Sequence, residues 1–80
     1  MTKTLFDLVT GESAIITRLQ RDGESGIRRR LLDMGVTRGA RVYVERHAPL
    51  GDPVEVLIKG YHLALRMNEA RKIEVSQEEV

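Results

Sequence analysis

The stretch PVEVLIKGYHLALR, residues 53 to 66, decides the architecture of this chain. Val54, Val56 and Ile58 alternate with Glu55, Leu57 and Lys59, the two-residue period of a half-buried strand. Gly60 permits a tight reversal, after which Tyr61, Leu63 and Leu65 repeat the alternation on one face. The pattern predicts a hairpin with Tyr61 and Leu63 in the core and His62 on the opposite face.

Upstream, HAPLGDPVEV at 47 to 56 reads as a corner. Pro49 and Pro53 restrict the backbone on either side of Gly51, and Asp52 is a residue type that hydrogen-bonds its own turn. Before it, VTRGARVYVERHAPL offers a turn in which Gly39 suits a positive φ. A strand follows with Val42 and Val44 facing one way and Tyr43 and Glu45 the other. In IRRRLLDMG the period changes: Ile27, Leu31 and Met34 fall at i, i+4 and i+7 and share a helical face. Ser25 is placed to cap that helix, and Gly35 supplies its left-handed stop.

Near the start, Leu5, Leu8 and Val9 stand at near-helical spacing before Gly11, which reads as a short turn or anchoring arm whose leucines cap the core. ESAIITRL, from Glu12 to Leu19, is rich in β-branched residues and predicts a strand, with RDGESG as the loop after it. Beyond the hairpin, Asn68 is placed to cap the single turn NEAR, and KIEVS is a last strand with Ile73 and Val75 inward. About five short strands joined by tight turns, with one short helix, favour a mainly β small barrel, because closing a sheet removes exposed edges.

Eighty residues hold one domain, with a core at about 5 to 75 and an acidic end at 76 to 80. A core of this size leaves little room for a deep catalytic pocket. The chain has no cysteine, which excludes disulfides and thiolate metal clusters, and no apolar run approaches a bilayer span or a signal-peptide core. These features predict a cytoplasmic protein without direct membrane insertion. Net charge is +1, but residues 18 to 46 carry eight Arg against four acids, whereas residues 47 to 80 carry four bases against six acids. Such asymmetry steers partners or simply aids solubility.

His47, Asp52, Glu55 and His62 are the only candidates for a metal site. His62 lies off the core face and His47 sits at a strand end beside a turn, so two solvated histidines, with no metal ligands, are the simpler reading. GxSxG, HExxH, GxxxxGK[ST] and GxGxxG are all absent, which predicts no catalytic residues and no bound cofactor. Nucleic-acid binding is a more serious rival, since Arg28, Arg29 and Arg30 form a compact cluster with Arg18, Arg21, Arg38 and Arg41 as candidate neighbours. Against it, only Phe6, Tyr43 and Tyr61 are available for base stacking, so a small RNA-binding barrel stays the alternative. Asp33 sits in the disfavoured last turn of the helix, where Arg29 and Arg30 at i+4 and i+3 spacing can offset it. Leu32 projects toward the edge of the buried stripe, as a core flank in the simpler reading or as an exposed contact.

Taken together, RLLDMG, TRGARV, APLGDPVEV and GYHLALRMNEA, in this order and spacing, resemble the FeoA family, small cytosolic proteins of bacterial ferrous iron transport and transition-metal handling. The resemblance runs from about Leu5 to Val75. It implies an SH3-like barrel, in which Gly35, Gly39, Pro49, Gly51, Asp52, Pro53 and Gly60 are structural. It also implies a protein partner, the FeoB ferrous iron permease with its cytosolic GTPase domain, and no active site. The same domain type resembles the C-terminal module of iron-dependent repressors, a metal-responsive regulatory role for which this chain has no room to hold a DNA-binding domain. Arg28, Arg29, Arg30 and Leu32 are the expected partner contacts, and an open strand edge or exposed Leu32 and Leu57 would support self-association.

Overall fold

The computed structural model describes residues 3–21 and 26–77. Among these, six strands form one antiparallel sheet: β1 (Lys3–Thr4), β2 (Ser13–Leu19), β3 (Arg41–His47), β4 (Val54–Ile58), β5 (Tyr61–Leu65) and β6 (Ile73–Gln77), in spatial order β1-β6-β2-β3-β4-β5. Helix α1 (Ile27–Asp33) connects β2 to β3, and one helical turn, α2 (Met67–Ala70), connects β5 to β6. The fold is the mainly β small barrel expected, with β1 as an additional two-residue strand that pairs Lys3 with Val75 and Thr4 with Glu74. Two residues are too few to show a period, so the sequence carried no signal for it.

The inward residues of the alternating strands build the core: Ile16, Val42, Val44, Val54, Val56, Ile58, Leu65, Ile73 and Val75 are buried together. Burying each such side chain contributes about 1.5–3 kcal/mol, which for a domain this small is the main driving force. Leu5 and Leu8 are buried in the same cluster. Leu5 opens a 3-10 turn, Leu5–Asp7, that Leu8 follows, and Asp7 Oδ2 accepts the N–H of the preceding Thr4 at 2.9 Å. Register shifts between Ile16 and Arg18 and between Val44 and Arg46 mark bulges that bend β2 and β3 around the core.

The β4–β5 hairpin pairs Ile58 with Tyr61 across a two-residue loop. Lys59 at φ 50° and Gly60 at φ 84° are both left-handed, the primed turn whose twist matches the strands it joins. Lys59 therefore belongs to the turn rather than to the strand, and its Nζ donates to Thr37 Oγ1 at 3.0 Å. Tyr61 is also not a core residue: it is 38% exposed at the beginning of β5. Alternation assigns a face, but it does not say where along the strand the core stops.

Helix α1 docks through Leu31, with Ile27 and Met34 packed at the margin of the core. The Ser25 cap lies outside the described residues; the residue preceding the helix is Gly26 at φ 77°. The C-terminal stop is as expected. Gly35 adopts φ 88°, its N–H donates to Leu32 O at 3.0 Å, and the Val36 N–H donates to Leu31 O at 2.9 Å. This is the paired-bond ending that needs a left-handed residue, and buried Val36 and Leu31 complete its apolar contact. A second constraint acts at Gly35, because a Cβ there would lie 2.8 Å from the Tyr61 hydroxyl oxygen.

The turn α2 corrects the expected Asn68 cap. Asn68 lies within the helix and is exposed, while Glu69 is the residue that turns inward, at 2% exposure. Glu69 Oε1 accepts the Arg66 N–H at 2.9 Å, and Asp52 Oδ1 accepts the Met67 N–H at 3.1 Å. Asp52 thus caps α2 across the barrel end rather than its own turn. Glu69 Oε2 pairs with the Arg30 guanidinium, whose side chain is 60% exposed, so α1 and α2 are joined through a buried carboxylate.

Three stability experiments follow from these contacts. Gly35→Ala is expected to lower stability by about 1–2 kcal/mol in urea unfolding, with Tyr61→Phe in the same chain recovering only the steric share. Arg30→Ala is expected to cost about 2 kcal/mol, less than for a fully enclosed pair because water reaches the guanidinium, and adding Glu69→Gln should restore part of it. The third concerns Glu12, whose carboxyl is held below its ordinary range first by the Val9 N–H and then by Gln77. Ionised Glu12 therefore favours the folded chain, so the stability advantage over Glu12→Gln should be complete near neutral pH and shrink as acid protonates the folded-state carboxyl. A pH series of unfolding midpoints checks this.

Candidate partner-binding site

The arginine-rich side of the barrel is assembled from three pieces of chain. At the end of β2, the bulge after Ile16 leaves Thr17 and Arg18 both exposed and returns Leu19 to the core. A bulge re-aims side chains in this way because its extra residue breaks strict alternation. On α1, Arg28 and Leu32 are four residues apart and so share a face. The turn before β3 contributes Arg38, next to Gly39 at φ 89°.

These pieces enclose a groove of about 340 Å³ in which Arg18, Arg21, Arg28 and Arg38 surround Leu19 and Leu32. Among the described residues, no carboxylate lines it. Arg18 lies 3.9 Å from Glu74 across the β2–β6 ladder. Among the described residues, Arg21 and Arg38 are exposed and make no ion pair.

The four expected contact residues thus divide. Arg28 and Leu32 lie together in the groove, and Leu32 is 38% exposed rather than buried as a core flank. Arg29 is exposed on α1 outside the groove. Arg30 points to the other side, toward Glu69, and lines a separate cleft of about 320 Å³ with Ile27, Arg66 and Asn68. Neither Arg29 nor Arg30 pairs with Asp33 among the described residues, so the expected offset of that charge is not formed. A consecutive triplet spreads over about 200° of a helix, and one partner cannot hold all three. The sequence offered Arg18, Arg21 and Arg38 as candidate neighbours of the triplet, and the fold brings all three beside Arg28 but not beside Arg29 or Arg30.

The loop from His47 to Pro53 contributes no metal-binding geometry. His47 is half-buried rather than solvated: its Nε2 lies 2.7 Å from Leu8 O, and its ring meets Phe6 edge-on at 6.0 Å. His62 is exposed, with Nδ1 2.8 Å from Glu45 Oε1. Among the described residues, no three His, Asp or Glu converge as metal ligands. The loop instead presents Leu50, fully exposed at φ 68°, between Pro49 and Gly51, which rests against the Phe6 ring. Pro53 follows a cis bond from Asp52. Phe6 itself lies beneath the Arg71 guanidinium at 4.9 Å, and among the described residues no helix is long and apolar enough to cross a membrane.

Comparison with known proteins agrees with this architecture. The FeoA domain model matches residues 3–77. The chain is 42% identical over 71 residues to an Fe(2+) transport protein A/Fe(2+) transporter FeoB fusion protein of Porphyromonas gingivalis, covering 89% of this chain and 8% of that one. The chain therefore spans a small fraction of the length of that relative. Among solved structures, the FeoA protein of Chlorobium tepidum is 44% identical with a TM-score of 0.83, over 94% of this chain and 70% of that one. The FeoA of Stenotrophomonas maltophilia, described as a procaryotic SH3 domain protein and solved with zinc, is 30% identical with a TM-score of 0.82, over 92% and 89%. An SH3-like barrel with these relatives, matched along nearly its whole described length, belongs to the FeoA family of ferrous iron transport.

Proposed function

We propose that the protein is a non-enzymatic accessory of ferrous iron uptake, which binds the cytosolic part of a FeoB transporter and biases its conformational or nucleotide state. The observation that supports this reading is the Porphyromonas gingivalis relative, in which transport protein A and the FeoB transporter are one polypeptide. A covalent link raises the effective concentration of one module at the other, which is useful when the two must touch. A separate chain reaches the same end through affinity. It shifts the transporter only to the extent that it binds one state better than another.

The surface for this contact is the outward side of α1. Leu32 supplies an apolar anchor flanked by the charges of Arg28 and Arg29, the combination of apolar contact and arginine that dominates many interfaces. Arg30 acts at one remove, by holding α1 against Glu69. The barrel thus offers a surface rather than an enclosed pocket, in keeping with a role through contact.

Purified chain is expected to bind the cognate FeoB transporter in nanodiscs saturably, with affinities that differ between its GDP-bound and GTP-analogue-bound states. Absence of binding in every nucleotide state would overturn the reading. Arg28→Glu with Arg29→Glu should weaken binding by at least about tenfold, the effect of placing like charges across an interface. Unchanged affinity in a variant that keeps its thermal unfolding would overturn only the placement on α1.

A further inference from the structure

We infer that the groove between the bulged end of β2, helix α1 and the turn before β3 is a receptor for an acidic peptide segment that carries an apolar side chain. This inference deepens the proposed function, on which it rests for the identity of the protein that carries the segment. Among the described residues that line the groove, Arg18, Arg21, Arg28 and Arg38 carry the charge and none is a carboxylate. In a chain whose net charge is +1, that concentration is local. Clefts walled by low-dielectric protein focus such a field, so an anionic occupant is favoured before any contact is made.

The floor selects among anions. Leu19 and Leu32 sit between the guanidinium groups, with Leu32 38% exposed, so the groove has apolar surface to cover as well as charge to neutralise. A peptide supplies both, placing carboxylates on the arginine rim and an aliphatic side chain on the leucines. Single-stranded nucleic acid is held by aromatic stacking platforms, and no aromatic residue lines this groove. A volume of about 340 Å³ accommodates one large side chain and its immediate neighbours, not a folded element. Guanidinium groups suit this task because their planar forks match carboxylates through two parallel hydrogen bonds.

Two arginines of the rim are also available. Among the described residues, Arg21 and Arg38 form no ion pair, and Arg18 is only loosely engaged with Glu74 at 3.9 Å. Backbone geometry holds the rim in place without help from a ligand, through the β2 bulge on one side and the Gly39 N–H donating to Ile16 O at 2.7 Å on the other.

The test is fluorescence anisotropy with the full chain and a labelled short peptide of Glu and Asp around one central Leu. Saturable binding that weakens steeply as salt is raised is expected. Arg21→Glu and Arg38→Glu should each reduce affinity by about tenfold or more, whereas Arg46→Glu, the same charge change on the far side of the barrel, should not. Replacing the central Leu of the peptide by Ser, or Leu32→Ser in the protein, should also weaken binding. Equal binding of an uncharged peptide, equal loss with Arg46→Glu, or no effect of either groove substitution would overturn the inference. So would tighter binding of oligo-uridylate RNA than of the peptide, which would make the groove a nucleic-acid site. If the transporter binds the chain but neither the peptide nor the groove substitutions matter, the groove inference falls alone. If the peptide binds as expected but the transporter does not, the transporter reading falls and the groove remains.

Discussion

A carboxylate removed from water must find its counter-charge inside the protein, and Glu69 is that constraint here. Its two oxygens are claimed by different parts of the chain, one by the Arg66 N–H at the start of α2 and the other by Arg30 on α1. The two helical segments lie far apart in sequence and contribute little secondary structure, so neither would persist in isolation. Joined through Glu69, they become one cover for the end of the barrel. Burying a carboxylate in this way is not automatically stabilising, but removing Arg30 leaves it without its counter-charge, and this makes the arrangement specific.

The position of α1 decides what the outer surface of the protein can do. With Arg30 drawn toward Glu69 and Leu31 into the core, Arg28 and Leu32 must face the bulged end of β2. The bulge in turn exposes Arg18, and the turn after α1 supplies Arg38. The groove is therefore a consequence of how the helix is anchored, and its chemistry follows from three local deviations from regular structure: a bulge, a left-handed helix ending and a positive-φ turn. Such a surface is what the proposed contact with another protein would use, and the Porphyromonas gingivalis relative carries its transport protein A part joined to a FeoB transporter.

Two other regions show how a small barrel uses residues that read as chemistry in a linear sequence. His47 carries no visible catalytic or metal-binding partner set; it closes the barrel end by contacting Leu8 O and the edge of Phe6. Asp52 reads as a turn former yet caps α2 from across the corner. In both cases a polar side chain satisfies backbone groups where the sheet ends. A domain with so little interior must spend side chains on its own ends.

The sequence by itself determined the sheet. Valine and isoleucine alternation over β3 and β4, the Gly60 reversal and the Gly35 helix stop are local signals, because side-chain direction in a strand and backbone handedness at a turn depend on a few consecutive residues. The resemblance to FeoA was legible for the same reason, since its motifs are those turns and strand ends. Tertiary structure decided the rest. Which arginines stand together, that Arg30 is spoken for, that Leu32 is exposed in the groove and that Tyr61 lies over Gly35 all depend on distances between segments remote in the chain. Charge acts through space rather than along sequence, so a triplet of adjacent arginines on a helix is divided between faces while arginines from three separate segments form one site.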